Sequence, residues 1–182
     1  MNTRKPQVEN LEVKVLNFNP KSISEALHIP EEAVLREFTD GRVISRFSEY
    51  WGAKLYNFEK YSNSNHKDTD GAIHTESLGD IGVSIKTLTK AGIRFQNSKN
   101  VGSGRKCSPE DLLDAILSAP RILIVDVVEF PKVSFVMLTS QTIGKWVYQK
   151  SLGINGLKRE KFYELLSQTH NIHYVEQVLA GV

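Results

Sequence analysis

The chain has 182 residues, of which 40% are hydrophobic and 24% charged, with a formal net charge of +2. That is enough sequence for one sizeable core, and the composition is that of an ordinary globular domain rather than of a disordered or fibrous chain. No apolar run approaches the roughly 20 residues of a membrane-spanning helix, the polar start from Met1 to Gln7 has no secretory apolar core, and the single Cys107 cannot form an internal disulfide, so a cytoplasmic protein with no membrane partner is expected.

The first element is a short strand near Leu11 to Leu16, where apolar residues roughly alternate. Asn19-Pro20 reads as a turn. Ser22 or Ser24 can cap a short helix through Leu27, and His28-Ile29-Pro30 breaks it before a second helix, Glu31 to Phe38. The pair is either a helix-turn-helix or simply two packing helices. A reader helix usually opens on basic or amide residues, whereas this one opens on Glu31 and Glu32, which repel phosphate. After the turn at Thr39-Asp40-Gly41, Arg42 to Tyr56 has helical spacing, with Val43, Phe47, Tyr50 or Trp51, and Lys54 or Leu55 near one face.

The polar stretch from Tyr56 to Thr69 reads as loop. Two extended segments follow, Gly71 to Ser77 and Ile81 to Leu88, joined through Leu78-Gly79-Asp80 as a hairpin. Ala91 to Cys107 is glycine-rich loop. Ser108-Pro109-Glu110-Asp111 is a strong helix start, with a cap, a proline at the first position and acids in the first turn. That helix runs to about Ser118. Arg121 to Glu129 is an apolar, β-branched run typical of a buried strand, and Lys132 to Leu138 is the next. Asp126 lies inside that apolar run, and a buried acid there needs a partner. Thr142 to Lys150 and Arg159 to Ser167 read as helices, and His173 to Val178 as a last strand. The order gives an α/β (α+β) fold with a mixed sheet flanked by helices. Residues 1–40 read as an N-terminal helical arm or small subdomain and 41–182 as the core, the two expected to form one compact domain overall.

The segment that carries chemistry is the hairpin. Strand side chains alternate, so Ser84 and Lys86 share one face, and Asp70, Ala72, His74 and Glu76 share a face of the first strand. A turn centred on Gly79 sets Ser84 across from His74 and Lys86 across from Ala72, with Asp70 diagonal to Lys86 at roughly 7 Å. Phosphodiester hydrolysis needs a hard cation on carboxylates, an activated water and positive charge near the attacked phosphate. Asp70 is the candidate metal ligand, and Lys86 the group that orients water and stabilises developing charge. The plainer alternative is a turn aspartate and a solvent-face lysine.

Asp-Gly-x-Ile at Asp70 to Ile73, followed by Val83-Ser84-Ile85-Lys86, resembles the PD-(D/E)XK nucleases, which include most type II restriction enzymes. The resemblance covers roughly residues 40 to 140. It implies a catalytic set of Asp70, Ser84, Lys86 and Glu49, the last on the helix that precedes the hairpin. It also implies Mg2+, with Mn2+ as a substitute, held by Asp70 and by Glu49; Glu76, which shares the face of Asp70 and falls diagonal to Ser84 in the register above, is the other candidate carboxylate. The chain departs from the family at Ser84, where an acid is usual, and at Thr69, where the proline is.

Between Ile81 and Pro109 there is no acid, while Lys86, Lys90, Arg94, Lys99, Arg105 and Lys106 all lie there. Basic residues neutralise phosphates, and Arg, Gln and Asn read base edges. Arg94, Gln96, Asn97, Lys99, Arg105 and Lys106 are therefore candidate DNA contacts. The expectation is a site-specific, double-stranded DNA endonuclease of a restriction-modification system, working as a homodimer. A repair or homing nuclease with the same core, or a DNA-binding protein without catalysis, stays open.

Overall fold

The computed structural model describes residues 9–62, 69–96 and 107–178, apart from the side chain of residue 42. Seven strands form one mixed sheet flanked by helices on both faces. In chain order the elements are β1 (Glu9–Asn17), α1 (Pro20–Leu27), α2 (Glu31–Phe38), α3 (Gly41–Tyr56), β2 (Glu59–Lys60), β3 (Gly71–Thr75), β4 (Gly79–Leu88), α4 (Pro109–Leu117), β5 (Arg121–Asp126), β6 (Lys132–Thr139), α5 (Ser140–Tyr148), α6 (Arg159–Thr169) and β7 (His170–Glu176). The strand order is β2-β3-β4-β5-β6-β1-β7. The first three strands form an antiparallel meander. β5 runs parallel to β4, β6 antiparallel to both β5 and β1, and β7 parallel to β1.

β5 is buried along nearly its whole length, as its unbroken Ile122-Leu123-Ile124-Val125 run demands of a central strand covered on both faces. On one face Ile44 and Leu55 of α3 and Val34 and Phe38 of α2 pack over Val83, Leu123 and Val125. On the other, Leu112 and Ile116 of α4, Ile143 and Trp146 of α5, and Phe162 and Leu165 of α6 pack over Leu88, Ile122 and Ile124. β1 lies inside the sheet, so the N-terminal strand shares this core with the rest of the chain. Among the described residues no helix is long and apolar enough to cross a membrane.

Several local readings are corrected. Asn19-Pro20 is a helix start rather than a turn. The Asn19 side chain accepts from the N–H groups of Lys21 and Ser22, and Pro20 takes the first helical position, where its missing N–H costs nothing. α3 is rotated by about one residue from the expected face. Ile44, Ser48, Gly52 and Leu55 are buried, while Val43, Phe47 and Tyr50 are exposed. Gly52 decides this, because a Cβ there would collide with Cδ2 of Leu123, so only a glycine lets the helix sit this close. The stretch read as loop contains β2, two residues long and too short to show alternation. β7 begins at His170 rather than His173, drawn into register by β1.

The hairpin register also differs. Thr75 pairs with Gly79, so the turn is Glu76-Ser77-Leu78. The Thr75 hydroxyl closes the turn, donating to the Gly79 carbonyl at 2.8 Å and accepting from the Leu78 N–H at 3.1 Å. Gly79 has φ +70°, a left-handed conformation that glycine adopts without cost. Gly71 therefore faces Val83, which sets Asp70, not His74, beside Ser84.

Candidate active site

Asp70 stands where β3 begins, at the mouth of the hairpin. Its backbone still follows the ladder, since its N–H donates to the Val83 carbonyl at 2.8 Å and its carbonyl accepts from the Tyr61 N–H at 3.0 Å. Its side chain takes over where the chain before β3 no longer supplies an acceptor. Oδ2 accepts the Ile85 N–H at 2.6 Å and, more weakly, the Ser84 hydroxyl at 3.4 Å. A carboxylate replacing a strand carbonyl satisfies a donor that would otherwise be left open at a parting of strands. Among the described residues no hydrogen bond reaches Oδ1 of Asp70.

Ser84 is buried and Lys86 half-buried, and by strand alternation both share the face of β4 that carries Leu88, which packs in the core with α4. The expected diagonal relation of Asp70 and Lys86 survives the register correction, because Lys86 lies two residues beyond Ser84, the neighbour of Asp70.

Glu49 comes from the opposite face. It lies on α3, which packs over Val83 and Ile85, and it forms an ion pair with Lys60 of β2 at 3.1 Å. Lys60 also lies over the Tyr50 ring, 4.7 Å from its centroid, and pairs in the ladder with Gly71. Glu49 is thus tied through Lys60 to the ladder position of Gly71, the residue after Asp70, from the face opposite the Asp70 side chain. Lys60 is the residue that sequence reasoning missed. Its only sequence trace is the short Phe58-Glu59-Lys60-Tyr61 run within a polar stretch.

Glu76 sits exposed in the turn, at the far end of β3 from Asp70, so the register that set it diagonal to Ser84 does not occur. His74 is held by two acids. Its Nδ1 meets Asp80 at 2.6 Å and its Nε2 meets Glu59 at 2.8 Å. Its pKa is raised above the ordinary histidine value, first by the bond to Asp80 and then by that to Glu59. The two carboxylates occupy opposite ends of the ring, so the trio is a clasp across β2, β3 and β4. Among the described residues no group of three or more His, Cys, Asp or Glu side chains is arranged to hold a metal ion.

Of the candidate DNA contacts, Arg94 is exposed. Gln96 is half-buried and donates to the Ile154 carbonyl at 2.7 Å, which fixes the segment to the loop after α5. Asn97, Lys99, Arg105 and Lys106 lie outside the described residues.

The buried acid in β5 has the partner it needs. Asp126 accepts from Arg159 Nε at 2.7 Å, from the Tyr163 hydroxyl at 2.9 Å and from the Val128 N–H at 3.0 Å. Arg159 also pairs with Glu129 at 2.7 Å. Burial works to lower the Arg159 pKa, but the bonds to Asp126 and Glu129 prevail and raise it. Burial, and then the Asp126 charge, push the Tyr163 phenol up. No family model, no curated protein and no solved structure matches this chain.

Proposed function

We propose that the chain is a divalent-metal-dependent endonuclease of the PD-(D/E)XK kind, cutting double-stranded DNA at specific sites as a type II restriction enzyme does. The observation that carries this reading is the state of Asp70. One carboxylate oxygen is fixed by the Ile85 N–H, and the other accepts no hydrogen bond among the described residues, at the mouth of a hairpin whose second strand carries Lys86. The connectivity supports it too: a helix, a three-stranded antiparallel meander, a helix, and a strand parallel to the third, as α3-β2-β3-β4-α4-β5.

The donor set fits Mg2+, which is commonly held by one or two carboxylates with water and substrate oxygens completing the shell. Asp70 would hold the ion through Oδ1, and Glu49 is the candidate second carboxylate once it leaves Lys60. A bound Mg2+ supplies charge neutralisation at the phosphate and a water of lowered pKa. Asp70 is oriented by the Ile85 N–H before substrate arrives, so little reorganisation is needed at that atom. Lys86 places a cation beside the attacked phosphate and orients water. The acid-free, basic segment that includes Arg94 would follow the DNA backbone. Two-fold substrates favour a homodimer acting in the cytoplasm.

The test is incubation of the purified chain with plasmid and phage DNA in Mg2+ or Mn2+, beside Asp70→Ala and Lys86→Ala. Discrete fragments from the unaltered protein, lost in both variants and in chelator, are the expected result. A second reading, DNA binding without cleavage, is favoured by the Glu49–Lys60 ion pair and by Ser84 at the acid's usual place. A gel shift with intact DNA in either metal would establish that reading and refute the first.

A further inference from the structure

At the other side of the sheet, β1 and β6 part company. Their ladder runs only over Lys14–Asn17 of β1 and ends at Lys14↔Phe135. Tyr56, at the end of α3, stands at the fork. Its hydroxyl donates to the Phe135 carbonyl at 2.9 Å. Beyond this wedge β1 is paired only with β7, and β6 only with β5. The edges of Glu9–Val13 and Val136–Thr139 that face each other have no ladder partner among the described residues.

A cleft of about 450 Å3 opens there, between the parted strands, α5 and the junction of α6 with β7. Its walls are rich in amides: Asn10, Gln141, Gln149 and Gln168, with the hydroxyls of Thr139 and Thr142. No side-chain hydrogen bond is recorded among the described residues for Gln141, Gln149 or Lys145. The floor is apolar, formed by Leu11, Met137, Leu138 and Trp146. Among the described residues that line it, one acid, Glu9, and one lysine, Lys145, carry full charges.

We propose that this cleft binds a planar, uncharged, hydrogen-bonding heterocycle of nucleobase or nucleoside size. The volume lies within the range of about 300–1,000 Å3 typical of small-molecule sites. Each carboxamide offers a donor and an acceptor side by side, the pattern that pairs with two adjacent atoms of a base edge. The unpaired strand edges offer the same alternation from the backbone. Leu11 and Met137 supply apolar contact to the ring faces. A lone phosphate is disfavoured, because Lys145 is the one lysine or arginine among the described lining residues and Glu9 opposes it. A sugar is disfavoured, because Trp146 is only 2% exposed and offers no open ring face. The proposal is independent of the catalytic reading, since Asp70 lies at the start of β3, with β4 and β5 between it and β6, the strand that walls the cleft.

The test is titration calorimetry of the full chain with adenosine, guanosine, cytidine and thymidine, with inorganic phosphate and glucose as comparison probes. A short duplex carrying one unpaired base distinguishes a base within a polymer from a free nucleoside. One-site binding of at least one nucleoside, or of the unpaired base, is expected. It should weaken on the order of tenfold in the double variant Gln141→Ala/Gln149→Ala and stay unchanged in Asp70→Ala. Gln141 and Gln149 are exposed, so that variant keeps the fold, which its thermal melt checks. Absence of binding by both nucleosides and unpaired base, indifference to the double substitution, or equal binding of phosphate or glucose would overturn the proposal.

Discussion

His74 is an exposed side chain whose charge is decided by its two neighbours. Asp80 and Glu59 stabilise the imidazolium, so the folded pKa stands above the unfolded one. The group binds its proton more tightly folded than unfolded. Its contribution to stability is therefore fully present below the unfolded value, about 6.5, and is lost as pH rises through the raised folded value. Urea unfolding of the unaltered chain and of His74→Gln across that window should show a gap that closes with rising pH. A gap independent of pH would assign His74 a role in packing instead. The residue itself was legible as a hairpin histidine. Its partners were not, because Glu59 belongs to a strand too short to announce itself and Asp80 becomes its partner only in the corrected register.

The elements were mostly visible, and their relations less so. The α4 start was readable to the residue: Ser108 accepts from the Asp111 N–H at 3.1 Å and Asp111 returns the bond to the Ser108 N–H at 2.8 Å, a capping box beside Pro109. The facing of α3 was not readable, since the 43/47/50 and 44/48/51/55 stripes differ by one residue and both contain large apolar side chains. The choice falls to Gly52, whose missing Cβ admits Leu123. Gly52→Ala should cost about 1–3 kcal/mol through overpacking, despite the better helix propensity of alanine. Chemical denaturation measures it, and an unchanged or raised midpoint would show that Leu123 yields freely.

At the scale of the whole molecule, Asp126 is a tie between distant parts. It binds β5 to α6 through Arg159, whose position is 33 residues further along the chain. The Asp126 side chain is 4% exposed and that of Arg159 28%. Removing one partner of a buried pair leaves the other charge uncompensated, at about 3–5 kcal/mol. The partial exposure of Arg159 places Arg159→Met at the lower end, about 3 kcal/mol, read as a fall in the urea midpoint. An effect below about 0.5 kcal/mol would mean that water and Tyr163 satisfy Asp126 without the guanidinium.

Local signals alone set the α/β class, the α4 start, the buried strand β5 and the strand β6 after it, and the need of Asp126 for a partner. Each depends on residues adjacent in sequence or one turn apart, and on the free energy of burying apolar surface or leaving a polar group unmet. The tertiary structure decided the register beside Asp70, the face of α3, the existence of β2 with its Lys60, and the parting of β1 from β6 around Tyr56. Those depend on which surfaces meet across the sheet. Strand pairing and close packing take their energy from partners tens of residues away, and periodicity along one segment cannot distinguish alternatives that differ by a single step.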